Sequence, residues 1–339
     1  MRKNLFMLPL LFVVLIGIIL FSLCIGRYPV SIADILHILV TTPLFDAVHD
    51  HTDKPWVVIE IIRLPRILLV TLCGMNLGLA GAAMQGVFRN PLVGPEVCGV
   101  SSGASFGGVL AILFGLSATA TVSLAFIFGL GALIAAFVLA KFAGRASALA
   151  LILAGVIIGA FFGALVGLAQ YVADPHNKLP SITYWLLGSF TGASYSKVVI
   201  VAIVNVLAGS LLLGLSWRIN LLSLGETDAQ ALGVNVEVLR WGIVALVAVL
   251  VAAQVSVSGG VSWVGLIVPH LARMIVGPEH TRLMPATALM GGIYLLAMDD
   301  MARTATAQEI PIGLLNAIVG TPVFAFLFWK LHGRGWAHD

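Results

Sequence analysis

The sequence predicts an all-α, polytopic membrane protein of about ten transmembrane helices, and three observations carry that prediction. Hydrophobic residues fill 60% of the 339 positions and charged residues only 10%. A soluble domain carries about 25% charge, so this chain cannot cover a water-facing surface of its own size. Apolar runs of about 20 residues, the length that crosses a bilayer as a helix, recur along almost the whole chain. The connections between them are short, so residues 1–339 read as one transmembrane domain with no soluble domain inserted.

Ten spans fit the apolar runs: 5–26, 62–87, 97–116, 121–143, 149–172, 198–217, 241–256, 261–275, 284–301 and 312–330. Arg2 and Lys3 before the first run imitate a secretory signal. The run is longer than the ~7–15 residues of a signal core, so it reads as an uncleaved span. Phe21-Ser22-Leu23 before Cys24 also lacks the small residue of a lipoprotein cleavage site. The seventh and eighth spans are short, and Gly259-Gly260 between them marks a tight turn or a broken helix.

Between the first two spans, Ser31 caps a short helix that begins Ile32-Ala33-Asp34. Further on, His49 and His51 stand among Asp46, Asp50 and Asp53, a set that suits either a divalent metal or a solvated polar loop. His176, His332 and His338 read as loop or tail residues, and Cys24, Cys73 and Cys98 as small packing residues in apolar runs.

Basic residues set the orientation. With ten spans and a cytoplasmic N-terminus, eleven of the 18 Lys and Arg fall inside and seven outside. Both termini are then cytoplasmic, and so is the polar stretch 218–240. That stretch holds no Pro. Ser223 is placed to cap a short helix with Glu226 and Asp228 in its first turn, Gly233 to stop it after Leu232, and Asn235 with Glu237 to open a second short turn. Apolar Leu224, Ala229, Ala231 and Leu232 punctuate it, as a surface that docks onto something in the aqueous phase requires, or an amphipathic loop lying on headgroups.

The fifth span carries Gly155, Gly159, Gly163 and Gly167, a smooth face that admits a close neighbour, within the subunit or across a dimer axis. No Asp or Glu falls mid-span, which counts against a proton- or sodium-driven transporter. No phosphate-cradling GxxxxGK[ST] loop, catalytic triad, carboxylate pair or zinc spacing occurs. If transport is energised by ATP, the ATPase is a separate polypeptide.

Four stretches then resemble one family in register: RLPR at 63–66 with RNPL at 89–92, GETDAQALGVNV within 218–240, GLIVPHLAR at 265–273 and EIPIGLLNAIVGTPVF at 309–324. They resemble the FecCD family of ABC importer permeases and span most of the chain. The resemblance implies a type II ABC importer permease working as a homodimer. It has two ATPase subunits inside, carrying ATP and magnesium, and one periplasmic binding protein outside. No cofactor, metal or nucleic acid belongs to the chain itself.

By the same resemblance Gly225, Glu226, Ala229, Leu232 and Gly233 form the ATPase-coupling segment. Arg63, Arg66 and Arg303 bind glutamates of the carrier, the four glycines face the pathway, and Ser147, Ala148 and Leu149 form the inner gate. Three departures bear on the cargo: Val93-Gly94 where the family's commoner motif reads Ala-Asp, the double acid Asp299-Asp300, and the apolar character of 147–149. The implied cargo is an iron chelate (siderophore or haem), with cobalamin and an oxyanion such as molybdate as alternatives. A self-contained channel or secondary transporter is the other class.

Overall fold

A computed structural model gives the fold and describes residues 6–41, 54–142 and 148–332. His49, His51 and Ser147 lie outside the described residues, so the metal alternative and one gate position have no structural counterpart here. Fourteen helices, and no strand, occur among the described residues. In chain order they are α1 (Met7–Cys24), α2 (Ile32–Thr41), α3 (Lys54–Phe88), α4 (Val100–Leu113), α5 (Ala118–Phe142), α6 (Ala148–Val172) and α7 (Lys178–Leu186). There follow α8 (Tyr195–Gly214), α9 (Ser216–Leu224), α10 (Glu226–Ala231), α11 (Val236–Ser258), α12 (Val264–Val276), α13 (His280–Thr304) and α14 (Ile312–His332).

Ten of these match the ten predicted spans in order: α1, α3, α4, α5, α6, α8, α11, α12, α13 and α14. Six are both long and apolar enough to cross a membrane by themselves: α1, α3, α5, α6, α8 and α11. The 13 residues of α12 rise only about 20 Å, short of a ~30 Å hydrocarbon core. The helix α13 is long enough but carries His280, Asp299, Asp300 and Arg303, all buried.

The subunit is built around α3, the most buried of the six long apolar helices. Its most extensive partner is α13. Glycine makes that seam possible. A Cβ at Gly74 would collide with the Gly291 carbonyl, one at Gly78 with the Thr287 carbonyl, and one at Gly81 with the Gly265 carbonyl of α12. Without side chains there, the backbones meet and dispersion contact replaces the hydrophobic drive that lipid does not supply. Around this axis α4 packs on α5 and α6, α5 on α11, and α1 on α13.

Local chemistry explains the helix ends. Ser31 Oγ accepts from Asp34 N–H at 3.1 Å, the cap read from the sequence for α2. Arg89, at φ 50°, ends α3 in the left-handed conformation just before Asn90-Pro91. Residues 259–263 break the chain between α11 and α12, with Gly259 at φ 70°, as the glycine pair predicts.

The helix α3 starts earlier than the predicted 62, at Lys54, through a π-helical section Val57–Arg63. That brings Glu60 into the span, where Tyr195 of α8 donates to its carboxylate at 2.8 Å. Glu60 lies near one end of that helix, and no Asp or Glu falls mid-span in α3.

Candidate functional sites at the two ends

The polar stretch 218–240 lies at one end of the bundle. It is more helical than its composition suggests. Instead of starting a helix at Ser223, the chain runs on as α9 to Leu224, because Ile219 and Leu222 are buried in the core around α3. Ser223 donates to the Asn220 carbonyl and caps nothing forward. Gly225, at φ 135°, makes the break and opens α10. Gly233, at φ 81°, stops α10, and its N–H donates to the Gln230 carbonyl at 2.9 Å. Asn235 Oδ1 accepts from Val238 N–H at 3.1 Å, but it opens the 23-residue α11 rather than a short turn.

Within this segment the residues divide by what they touch. Ala229 is fully buried against its own subunit, which corrects its placement as an outward contact. Leu224 and Leu232 are 61% and 60% exposed. Glu226 is held by Arg240 of α11 at 2.5 Å, with the guanidinium nearly all buried. Asn220 Oδ1 accepts from the His280 N–H at 2.7 Å and lies 2.9 Å from its Nδ1. The segment is thus tied to α11 by one polar bridge and to α13 by another. Beside it, a hollow of about 590 Å³ is lined by Trp217, Arg218, Leu221, Val234 and Val238.

The glycine stripe of α6 splits in two. Gly155 packs directly on the Val97 carbonyl and Cys98, and Gly159 faces Gly99 and Ser102. Gly163 and Gly167 are exposed, with nothing that a Cβ would meet within 4 Å. Leu149 is 65% exposed and Ala148 partly covered at the near end of the same helix. Replacing Gly155 by Leu is therefore expected to destabilise the subunit itself. Leu at Gly163 and Gly167 should leave its thermal unfolding unchanged while altering whatever meets that bare face, as size-exclusion chromatography and uptake would register. Full transport and unaltered assembly in the Gly163/Gly167 variant would remove the stripe from the pathway.

At the opposite end the three sequence-predicted arginines come together, but not as free guanidiniums. Arg66 is 9% exposed and clasped by two carboxylates, Asp299 at 2.9 Å and Glu309 at 2.8 Å. Arg303 bonds Asp300 at 2.6 Å and the Ser22 and Ile25 carbonyls of the α1 end. Arg63 donates to the Leu23 and Tyr28 carbonyls. These side chains lock α1, α3 and α13 together. The second acid, Asp300, also has a structural partner, since Ser22 donates to it at 2.6 Å.

All three arginines nevertheless line one pocket of about 210 Å³, together with Glu309 and the exposed Arg27. Arg27 holds one backbone carbonyl, of Thr306, at 3.3 Å. Sequence reasoning counted it only as an outside cation; its signal was an arginine directly after the first span, against the positive-inside bias. Neither Arg27 nor Arg63 has a carboxylate partner among the described contacts; both donate to backbone carbonyls. Among the described residues no cluster of three or more His, Cys, Asp or Glu could hold a metal.

A bundle of apolar helices with a buried glycine seam, charge networks at one end and a short polar helix at the other defines a multi-pass membrane protein. The chain belongs to the FecCD transport family, whose model matches residues 13–330. It is 45% identical over 336 residues to the molybdate import system permease protein MolB of Haemophilus influenzae, covering 98% of this chain and 97% of that protein. It is 39% identical over 278 residues to a probable iron chelatin transport system permease protein of Helicobacter pylori, covering 82% and 84%. A solved structure described as an inward-facing conformation of a metal-chelate type ABC transporter superposes with a TM-score of 0.83 at 42% identity, covering 96% of this chain and 98% of the other.

Proposed function

We propose that the chain is the membrane-spanning permease subunit of a binding-protein-dependent ABC importer in a bacterial or archaeal cytoplasmic membrane, working as a homodimer. The family match across 13–330 and the inward-facing likeness support the class. The end carrying α10 is cytoplasmic, as are both termini, and it receives two ATPase subunits that hold ATP and magnesium. The arginine end faces the carrier. The chain has no cofactor of its own and hydrolyses nothing.

In this reading α10 is the coupling helix. Closure of the ATPases on ATP pushes the exposed Leu224 and Leu232 that flank it, and Gly225 and Gly233 are the breaks on either side of α10. The Glu226–Arg240 and Asn220–His280 bridges pass the displacement to α11 and α13. At its other end α13 carries Asp299, Asp300 and Arg303, which grip α1 and α3. A push at one end thereby reaches the arginine pocket as a rigid-body tilt. The bare Gly163/Gly167 face of α6 meets the second subunit along the pathway, with Ala148 and Leu149 at its inner end.

For the cargo, the 45% identity over nearly full length to a molybdate import permease favours a tetrahedral oxyanion over the iron chelate that the resemblance first suggested. The chelatin permease matches at lower identity over a shorter span, which keeps a ferric chelate as the second reading. Uptake by proteoliposomes holding this chain, its ATPase and its carrier decides between them. Molybdate accumulation that needs both ATP and carrier is the expected result. Uptake of a ferric siderophore or haem with no molybdate transport would overturn the oxyanion assignment and leave the permease class standing.

A further inference from the structure

A second pocket at the arginine end has no part in the networks described above. Its volume is about 340 Å³, and it lies between the α4–α5 turn, α7, the start of α8 and the end of α11. Six hydroxyl residues line it: Thr121, Ser181, Tyr184, Ser189, Thr191 and Ser256. The ionised residue among the lining side chains is Lys197. No carboxylate lines the pocket.

The walls are held in place. Gly188, at φ 77°, makes the turn after α7, and Ser189 N–H donates to the Ser258 carbonyl at 2.8 Å. Ser189 Oγ then stands 2.9 Å from Thr191 Oγ1 and 3.4 Å from the Tyr184 hydroxyl. Lys197 Nζ donates to the Gly192 carbonyl at 2.7 Å, which uses one of its three N–H groups. The rim is joined to the glycine helix, because Ile182 of α7 packs on Ala169 at the end of α6 and on Ala173 just beyond it.

Such a set recognises one ligand chemistry. A metal cation would need carboxylates and would be repelled by the ammonium. Three of the six hydroxyls already donate to helix carbonyls, Thr121 to Ser117, Ser181 to Asn177 and Ser256 to Ala253. The rotatable hydroxyls of Tyr184, Ser189 and Thr191, with one cation, instead supply donors toward a compact anion. The volume is near the lower end of the ~300–1,000 Å³ of small-molecule sites, in keeping with a small hydrated anion rather than a large chelate. Mostly neutral donors also hold an anion weakly enough to release it, as a transit site must.

We propose that this pocket binds a tetrahedral oxyanion beside the outer end of α6, a subsite of the pathway that rests on the oxyanion reading of the cargo. Tungstate is the probe, measured by equilibrium dialysis against the purified full chain in neutral detergent. Lys197→Met and the Ser189→Ala/Thr191→Ala pair should each weaken binding about tenfold or more, as lost charge-assisted hydrogen bonds do. Lys197→Arg should retain it, and an unchanged elution volume shows that each variant is folded.

Equal tungstate affinity in all variants overturns the subsite. A phosphate headgroup offers the same chemistry, so the measurement is repeated in nanodiscs. Binding that persists when phosphatidylglycerol replaces phosphatidylcholine supports a free anion, and displacement by phosphatidylglycerol assigns the pocket to lipid and overturns the proposal. Molybdate uptake by the assembled importer separates the two claims. Uptake that the variants leave untouched sinks the subsite while the cargo stands. Variant-sensitive tungstate binding without any molybdate uptake sinks the cargo and leaves an oxyanion site.

Discussion

Replacing Leu224 and Leu232 by glutamate should strip the ATPase from the protein without unfolding it. Both side chains are about three-fifths exposed, Leu224 ending α9 just before α10 and Leu232 directly after α10, and neither belongs to a buried cluster of the subunit. A large apolar side chain exposed on an amphipathic helix is either lipid-facing or an anchor for a partner. Here the helix is held rigidly from behind by buried Ala229 and by the Glu226–Arg240 pair, as an anchor requires. Interface anchors cost about 2 kcal/mol or more each when lost, so the double change should weaken ATPase affinity roughly a thousandfold. Co-purification of the ATPase reads this directly, and helicity by circular dichroism should stay at the wild-type value. Ala229→Arg is the contrasting variant: it forces a long cation into a closed space and should unfold the segment itself. An ATPase that still co-purifies with the Leu224→Glu/Leu232→Glu protein places the socket elsewhere.

What the sequence made legible depends on how far each cause lies along the chain. The ten spans could be read because each is a contiguous apolar run, and Gly233, Asn235 and Gly259 because a stop, a cap and a break are local. Ser223 misled because its cap was read from polarity alone, whereas buried Ile219 and Leu222 continue α9 through it. Ala229 was placed outward as an apolar residue in a polar stretch, but a small residue fits either a socket or a core, and only tertiary packing decides. The arginines were found by family resemblance. Their partners were not, since Arg66 and Asp299 are 233 positions apart. The α6 stripe was visible as a period of four. Its division into a packed half and a bare half was not, because the segment that covers Gly155 is the separate short turn Pro95–Cys98.

Removing the carboxylate of Asp299 should damage the protein more than removing its whole partnership with Arg66. In Asp299→Ala the Arg66 guanidinium stays buried with Glu309 alone, and Arg303 loses a carboxylate 4.0 Å away. A buried charge deprived of its partner costs about 3–5 kcal/mol, enough to loosen α13 from α3 and to send the single variant into aggregates. Replacing both residues with apolar side chains of similar size avoids that cost, since no uncompensated cation remains and Glu309 is partly open to water. Arg66→Met/Asp299→Leu should therefore recover most of the thermal stability lost in Asp299→Ala. The double variant then tests docking free of folding. If Arg66 serves only to join helices, carrier affinity and carrier-stimulated ATP hydrolysis return along with the melting temperature. If it also receives the carrier, stability returns and carrier affinity does not, most visibly at low salt, where charge attraction reaches beyond the ~10 Å Debye length of 0.1 M salt. A double variant as unstable as Asp299→Ala would show that the pair's geometry, and not its charge balance, holds this end of the bundle together.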